Sequence, residues 1–254
     1  MNIILSGALG RMGQEVIRAA EAACINILCG VDVAYQGETA SIPMVSRYEQ
    51  LPCTGDVLID FSKPDSLPAL LHYCQDKQLP CVLCTTGYTD AELKNIYAAA
   101  EHIAVLRSAN MSLGINVMEQ LVAMAAKALG ENYDIEIVEK HHRMKVDSPS
   151  GTALMLHEAA KSATETTATP VFGRYGRNEQ RKCGDIGIHA VRGGSVTGEH
   201  EVGFYGDGEQ ILLTHRAESR ALFAQGALRA AQFLAGRPAG LYSMRDVVME
   251  ILSH

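Results

Sequence analysis

Basic and potentially basic side chains are concentrated in one short stretch of the sequence. Four of them lie within five residues: His141, His142, Arg143 and Lys145. Histidine titrates near neutral pH and lysine is a cation, so side chains of these types donate protons and hold anionic groups. This stretch is therefore a candidate site for acid catalysis on an anionic substrate.

A helix start follows the basic stretch directly. Pro149 cannot extend a preceding helix, and either Ser150 or Thr152 is a natural N-cap for the apolar, helix-forming run that comes next. The free N–H groups of a helix start, together with the two hydroxyls, bind a carboxylate or a phosphate. We therefore expect the sequence Ser150-Gly151-Thr152 to form an anion site.

Two alternative interpretations of these side chains stay open. Paired histidines are common metal ligands, but adjacent histidines project poorly onto one ion and no carboxylate or cysteine set stands at ligand spacing, so we predict no metal site. The other alternative is a solvated basic loop. The apolar strand pattern before His141 and the helix cap after Pro149 weigh against it.

A second candidate site lies near the N-terminus. Residues Gly7–Gly13 fit the pattern G-x-x-G-x-x-G, between an apolar strand pattern and an amphipathic helix pattern. Glycine lets the backbone turn tightly and approach a pyrophosphate, which then meets free N–H groups and the positive end of the helix dipole. Arg11 adds a positive charge. The pattern predicts dinucleotide binding, with a tight turn that holds no ligand as the alternative.

Acidic and small polar residues follow the later strand patterns. Asp32 stands about 20 residues beyond the loop, where a carboxylate accepts hydrogen bonds from ribose hydroxyls and repels a 2′-phosphate. The stretches 60–64 and 85–87 fall at further strand ends, where open α/β sheets bind ligands. Each of these two stretches, taken singly, is also compatible with a simple helix cap.

Strand and helix patterns alternate through the first hundred residues. Strand patterns cover 3–6, 25–31, 57–61, 81–84 and 103–106, and helix patterns cover 11–23, 64–77 and 89–101. This alternation is typical of right-handed crossovers in an α/β fold with a parallel sheet.

After residue 110 the pattern changes. Helix patterns occur at 113–129, from 152, at 219–234 and at 244–252, and strand patterns occur at 135–140, 186–191, 196–204 and 210–217. Strands that follow one another without helices predict an α+β second domain with a mainly antiparallel sheet. Gly193-Gly194 and Gly206-Asp207-Gly208 predict hairpin turns, and residues 164–169 predict a flexible loop.

Composition and charge narrow the classes of function. The chain has 254 residues and a formal net charge of −7, which argues against sequence-independent nucleic-acid binding. Its apolar runs are too short for a bilayer, and no charged signal-peptide region precedes the first one. Seven cysteines, an odd number, predict reduced thiols in a cytoplasmic protein. Cys81 and Cys84 form a C-x-x-C, interpreted as a buried structural pair, with a redox pair or half a zinc site as alternatives.

Several of these motifs together resemble one enzyme family. They are Gly7–Gly13, the stretches 60–62, 85–87 and 109–112, and above all EKHHRMKVDSPSGT at 139–152. Almost end to end, the chain resembles the 4-hydroxy-tetrahydrodipicolinate reductases, the dihydrodipicolinate reductases of lysine and diaminopimelate biosynthesis. The resemblance implies a Rossmann-like cofactor domain formed by residues 1–112 plus 221–254. It also implies an α+β domain, residues 113–220, that binds substrate and forms a homotetramer.

The resemblance further implies an activity and residue roles. NAD(P)H would reduce a cyclic dicarboxylate substrate after loss of water, giving tetrahydrodipicolinate. His141 is implied as the proton donor and Lys145 as a second acid group, and the implied substrate contacts are His142, Ser150, Gly151 and Thr152. The implied cofactor contacts are Gly7, Ala8, Leu9, Gly10, Arg11, Met12, Asp32, Phe61, Cys84, Thr85, Thr86, Ser108, Ala109, Asn110 and Met111.

Two positions depart from the family pattern. Many relatives carry an arginine, suited to a 2′-phosphate, just after the ribose-binding acid, whereas this chain has Val33. We therefore predict that NADH is favoured over NADPH, although Lys63 is a cation able to reach a phosphate. Cys84 replaces a glycine that is common before Thr85-Thr86, which changes local bulk and leaves the backbone contact available.

Two rival functions remain as alternatives. One is a non-catalytic NAD(H)-binding sensor, which would not need the proton donors His141 and Lys145. The other is a dehydrogenase of a different amino dicarboxylate, such as aspartate. That enzyme would share the glycine loop and the anion cap but would not require the full basic string.

Overall fold

The structure is a computed structural model that describes residues 1–164, 169–177 and 180–253. The strands are, in chain order, β1 Asn2–Ser6, β2 Asn26–Val31, β3 Met44–Val45, β4 Val57–Asp60, β5 Cys81–Leu83, β6 Ala104–Arg107, β7 Asp134–His141, β8 Pro170–Phe172, β9 Ile186–Arg192, β10 Gly198–Gly206, β11 Glu209–Ala217 and β12 Gly240–Tyr242. The α-helices are α1 Arg11–Ala22, α2 Leu67–Asp76, α3 Asp90–Ala100, α4 Leu113–Leu129, α5 Gly151–Ala163, α6 Ala221–Leu234 and α7 Met244–Ser253.

The chain divides into two compact units. The first contains Met1–Leu113 and Arg220–His254, and the second contains Gly114–Ser219. None of the helices in the described part of the chain is both long and apolar enough to cross a membrane.

The first unit is built on a seven-stranded sheet with the order β12-β6-β5-β4-β1-β2-β3. Every pairing in it is parallel. Successive residues of a strand point to opposite faces of the sheet, so the side chains of β1 pack into two hydrophobic cores. Ile3 and Leu5 pack with α1, α6 and α7, whereas Ile4 packs with α2 and α3. The parallel α/β sheet predicted from the sequence is confirmed.

The second unit contains a five-stranded sheet with the order β11-β10-β7-β9-β8. Strand β10 pairs antiparallel with β11 and β7, whereas β9 pairs parallel with β7 and β8. One face of this sheet forms a core with α4 and α5, in which Ile137, Ile188 and Phe204 pack against Val122 and Leu156. The sheet is therefore mixed: β11-β10-β7 form the antiparallel part predicted from the sequence, and the parallel pairing of β7, β9 and β8 is not predicted from it.

The two predicted hairpins have different outcomes. Gly206 pairs with Glu209 in a two-residue hairpin between β10 and β11, as predicted. The Gly193-Gly194 prediction is wrong, because β9 and β10 both pair with β7 and not with each other. The chain from 193 to 197 crosses two strand spacings, about 10 Å, which five residues span easily. In crossing, it passes over the end of β7: the Gly193 N–H donates to the His141 carbonyl at 2.9 Å.

Smaller differences lie at element ends and in short strands. The segment predicted as a helix over 64–77 begins as a one-turn 3-10 helix, Pro64–Ser66, before α2. The short strands β3, β8 and β12 were not predicted from the sequence, because two or three residues are too few to show an alternating pattern. Of the predicted loop at 164–169, residues 165–168 lie outside the described residues.

Candidate active site

The glycine loop after β1 has a conformation that requires glycine. Gly7 has a φ of +73°, and its N–H donates to the Val31 carbonyl at 2.8 Å. A Cβ on Gly7 would lie 2.6 Å from the Phe61 carbonyl oxygen, and a Cβ on Gly13 would lie 2.3 Å from the Gly7 carbonyl oxygen. The loop is therefore packed so tightly against the end of β4 and the start of α1 that no side chain fits at these two positions.

Asp32 closes the loop from the end of β2. Its carboxylate accepts hydrogen bonds from the Leu9 N–H and the Ala34 N–H, both at 3.0 Å. The neighbouring Val33 side chain is 83% exposed. The acid and the loop predicted from sequence as partners of one dinucleotide thus stand in direct contact.

A cleft of about 590 Å³ opens beside this contact. Gly7, Gly10, Asp32 and Val33 line it. Two cations, Arg47 and Lys63, line it as well. Lys63 is expected here from the sequence, whereas Arg47 is not, because a single arginine in an irregular loop belongs to no recognisable motif.

The remaining predicted cofactor contacts follow other strands of the same sheet. Phe61 follows β4, Cys84–Thr86 follow β5 and 108–111 follow β6, so all of them lie at the carboxyl edge, where α/β sheets bind ligands. Side chains at this edge are fixed by hydrogen bonds. Buried Asp60 accepts from the Thr85 hydroxyl at 2.7 Å, and the Ser108 hydroxyl donates to the Asn110 carbonyl at 2.8 Å.

Not every side chain in this set is available to a ligand. Ala8, Cys84 and Met111 are buried, so these residues can offer a ligand little beyond their backbone. Burial raises the pKa of the Cys84 thiol well above its usual value. Cys81 is buried too, whereas Cys24, Cys53 and Cys183 are exposed, and all seven cysteines are free.

In the second unit, His141 is the last residue of β7 and is tied to a buried carboxylate. Its Nδ1 lies 2.6 Å from an oxygen of Glu139, two residues earlier on the same strand face. Glu139 is fully buried, and Arg192 at the end of β9 donates to both of its oxygens, at 2.8 and 2.7 Å. The Ser150 N–H donates a further hydrogen bond at 3.0 Å.

These contacts set the charges at the site. Burial by itself raises the pKa of Glu139, but the hydrogen bonds from Arg192, His141 and Ser150 together outweigh it and hold the pKa below its usual value. Burial lowers the pKa of His141, and the Glu139 carboxylate acts in the opposite direction. The net effect lowers the pKa of His141, which thus stands beside an ionised carboxylate.

Ser150 is the N-cap of α5, which decides between the two caps left open by the sequence. Its Oγ accepts from the Ala153 N–H at 3.2 Å and lies 3.0 Å from Nε2 of buried His200. Gly151 and Thr152 form the first turn of the helix. The predicted anion cap is therefore a formed helix start that shares Glu139 with His141.

Lys145 and His142 lie on the loop between β7 and α5. The Lys145 ammonium pairs with the Asp147 carboxylate at 2.9 Å, and the Lys145 N–H donates to the His142 carbonyl at 3.1 Å. Both side chains are partly buried. Among the described residues, no cluster of three histidine, cysteine, aspartate or glutamate side chains is arranged to hold a metal ion.

Glu139 and Arg192 were given no role from the sequence. The signal for Glu139 was present, because the period of two in β7 places it on the same inward face as Ile135 and Ile137. A charged residue on an inward face requires partners. Nothing in the sequence around Arg192 indicates that it is one of them.

Comparison with known proteins matches both units to one family. The model for the N-terminus of dihydrodipicolinate reductase matches residues 1–111, and the model for its C-terminus matches 114–248. The 4-hydroxy-tetrahydrodipicolinate reductase of Caldanaerobacter subterraneus subsp. tengcongensis is 45% identical over 249 residues, 98% of either chain. That of Clostridium novyi is 44% identical over 247 residues, 97% of either chain.

Solved structures share the fold at lower identity. A dipicolinate-bound dihydrodipicolinate reductase from a Paenisporosarcina species superposes with a TM-score of 0.79 at 22% identity, over 96% of this chain and 97% of that one. An aspartate dehydrogenase from Thermotoga maritima has a TM-score of 0.52 at 10% identity, over 94% and 98% of the two chains. The two family models and the full-length relatives show that the chain belongs to the dihydrodipicolinate reductase family, a family of nicotinamide-dependent reductases.

Proposed function

We propose that this chain reduces 4-hydroxy-tetrahydrodipicolinate to tetrahydrodipicolinate with a reduced nicotinamide cofactor, in lysine and diaminopimelate biosynthesis. Relatives of that name, 45% and 44% identical over nearly the whole chain, support it. The single observation that carries the proposal is the shared carboxylate of Glu139, which joins His141 to the helix cap at Ser150. A proton donor beside an anion-binding cap is what reduction of a cyclic dicarboxylate requires.

The roles we assign follow from this geometry. His141 donates the proton to the carbon next to the one that accepts the hydride, and Lys145 is the second acid group. The α5 start, with Ser150, Gly151 and Thr152, binds one substrate carboxylate through hydroxyls and through N–H groups beyond that of Ser150, which donates to Glu139. The basic side chains around it, among them His142, hold the other carboxylate.

The first unit fits a nicotinamide dinucleotide. When bound, the cofactor supplies the hydride that the reduction consumes. The glycine loop, which a Cβ at Gly7 or Gly13 would fill, leaves its backbone free to approach a pyrophosphate, and we assign to Asp32, which contacts this loop, the role of accepting from ribose hydroxyls. The further contacts we assign are the residues after β4, β5 and β6: Phe61, Cys84, Thr85, Thr86, Ser108, Ala109, Asn110 and Met111.

Of the two nicotinamide cofactors, we assign the preference to NADH. Val33 offers no charge to a 2′-phosphate, and the Asp32 carboxylate repels one. Arg47 and Lys63 line the same cleft, so NADPH retains two cations as partners. We therefore expect both cofactors to work, with NADH the better.

The assembly we assign is a homotetramer in the cytoplasm. On the sheet face that packs against neither α4 nor α5, the strand register brings the exposed side chains Tyr205 and Leu212 next to each other, and the exposed Val191 lies on the same face of β9. Exposed apolar patches of this kind mark interfaces between protein chains. The seven free cysteines suit a reducing compartment.

A coupled assay tests the proposed activity. Dihydrodipicolinate synthase generates the substrate in place, and NADH oxidation by the purified chain is followed by absorbance. We expect oxidation that depends on the synthase product. NADH that binds but is never oxidised would contradict the proposal and favour a sensor, whereas oxidation driven by another substrate, such as oxaloacetate with ammonia, would favour an amino-dicarboxylate dehydrogenase.

A further inference from the structure

We infer that Glu139 and Arg192 are positioning residues of the reaction: the buried carboxylate orients the proton donor and the substrate cap together, and the guanidinium holds that carboxylate in place. This inference rests on the proposed roles of His141 and Ser150. Neither Glu139 nor Arg192 needs to touch the substrate, because each acts through a neighbour.

The Glu139 carboxylate is the acceptor in four hydrogen bonds, two at each of its oxygens. One oxygen accepts from Ser150 N–H at 3.0 Å and from Arg192 at 2.7 Å. The other accepts from Arg192 at 2.8 Å and lies 2.6 Å from His141 Nδ1. An ionised carboxylate has no proton to donate, so Nδ1 of His141 carries the hydrogen. The exchangeable proton of His141 is therefore the one on Nε2.

A glycine faces the side of His141 that bears Nε2. A Cβ on Gly198 would lie 3.0 Å from Nε2, closer than ordinary packing allows. The ring of His200 packs edge-on against the His141 ring, with centroids 5.1 Å apart. Glu139 on one side and Gly198 on the other thus present a single nitrogen for proton transfer.

Arg192 joins this arrangement to the loop that carries Lys145. The same Nη2 that contacts Glu139 also donates to the Asp147 carbonyl at 2.6 Å. The Asp147 carboxylate in turn pairs with the Lys145 ammonium at 2.9 Å. Such a rigid, planar set of donors is a property of arginine that lysine lacks. One guanidinium therefore fixes both ends of the proposed acid pair.

The charges that face His141 give this role a measurable signature. The Glu139 carboxylate is the nearby charge that most strongly supports the imidazolium of His141, whereas Lys145 and Arg192 oppose it. His200 is the further titratable group packed against it. Removing the Glu139 charge lowers the pKa of His141. Because an acid must be protonated to act, the high-pH decline of kcat then moves to lower pH.

The test is Glu139→Gln in the coupled assay, with kcat and KM measured across pH. We expect kcat at neutral pH to fall about 10- to 100-fold, less than the roughly 10²- to 10⁴-fold range of a lost acid. The decline of kcat should move down by about one pH unit or more. NADH affinity should stay within about twofold of wild type. In the background of His141→Ala, Glu139→Gln should have little further effect on kcat, since it acts through that histidine.

The matched control is Glu158→Gln, since Glu158 lies 3.3 Å from Nδ1 of His157 on α5 and has no role in the proposed chemistry. We expect an unchanged pH profile. An unchanged profile and kcat in Glu139→Gln, with wild type active, would overturn the inference and leave the proposed function standing. If the wild-type chain does not oxidise NADH in the presence of the synthase product, that result would instead contradict the proposed function.

Nitrogen NMR of the wild-type chain shows which ring nitrogen of His141 carries the hydrogen. This measurement requires neither enzymatic activity nor a variant that folds. We expect neutral His141 to carry its hydrogen on Nδ1. A hydrogen on Nε2 instead would overturn the inference.

Discussion

His200 is a buried histidine whose neutral form is built into the fold. Burial, followed by the influence of His141, lowers its pKa to about 4. In the unfolded chain the pKa of a histidine is about 6.5. Between these two values the unfolded chain binds more protons than the folded chain, so acidification favours unfolding. The stability linked to neutral His200 is thus complete above about pH 6.5 and is lost as the pH falls towards 4.

Replacing His200 by glutamine should remove this pH dependence. Glutamine keeps a hydrogen-bonding group near Ser150 and does not titrate. Going from about pH 7 to about pH 5, we expect wild type to lose about 2 kcal/mol more unfolding free energy than His200→Gln, measured by urea unfolding. Equal losses in the two proteins would show that His200 is not the group responsible.

Val33 is the residue that we hold responsible for the NADH preference. It is 83% exposed and lines the cleft beside Asp32. We expect Val33→Arg to raise kcat/KM for NADPH relative to NADH by about tenfold, or ~1.4 kcal/mol, because arginine pairs well with a phosphate. Leu241→Arg, at an exposed residue of β12 outside the cleft, is the control and should leave the ratio unchanged. A wild-type preference for NADPH of more than about tenfold would contradict this account of Val33.

At the scale of elements, the glycine loop depends on close backbone contacts. A Cβ on Gly13 would lie 2.3 and 2.6 Å from the carbonyl oxygens of Gly7 and Ala8, so Gly13→Ala must displace the start of α1. We expect the free energy of unfolding to fall by about 1–3 kcal/mol. We also expect NADH to bind at least about tenfold more weakly, as measured by fluorescence titration. Gly240→Ala, whose Cβ would meet Tyr242 no closer than 3.4 Å, should bind NADH normally. Equal NADH affinity in both variants would contradict the assignment of the loop.

How far the sequence predicts these elements depends on the length of each pattern. The parallel sheet follows from buried strands such as β1 and β4, separated by helices with clear apolar faces. The strand order and directions of the second sheet could not be predicted. The sequence patterns of β9 and β10 identify them as strands but do not show which strand each one pairs with. Their pairing with β7 is decided by the core shared with α4 and α5, which is a tertiary effect.

The candidate site was predictable to a similar degree. A local pattern identifies the cap at Ser150, since a serine before an apolar helical run is a common N-cap. The pair of Glu139 and Arg192 is different, because these residues are 53 positions apart in the sequence. They meet only because β7 and β9 pair in parallel with His141 opposite Arg192. No local sequence pattern predicts that register.

At the scale of the whole molecule, the open face of the second sheet is the surface that we assign to assembly. Leu212 lies on it and is exposed in the single chain. We expect Leu212→Glu to shift the chain from tetramer to smaller species in sedimentation, because a charge in an apolar interface loses its hydration. Leu252→Glu, at an exposed residue of α7, should leave the assembly unchanged. A wild-type chain that sediments as a monomer would contradict the assembly itself.

In the proposed enzyme, the first unit binds the cofactor and the second unit supplies the two acids. The most direct test compares turnover and NADH affinity in His141→Ala and Lys145→Ala. Neither residue belongs to the unit that contains the glycine loop. We predict that turnover falls by about 10²-fold or more in each variant while NADH affinity stays nearly that of wild type. Collapse of NADH binding, or turnover that survives both substitutions, would contradict the account.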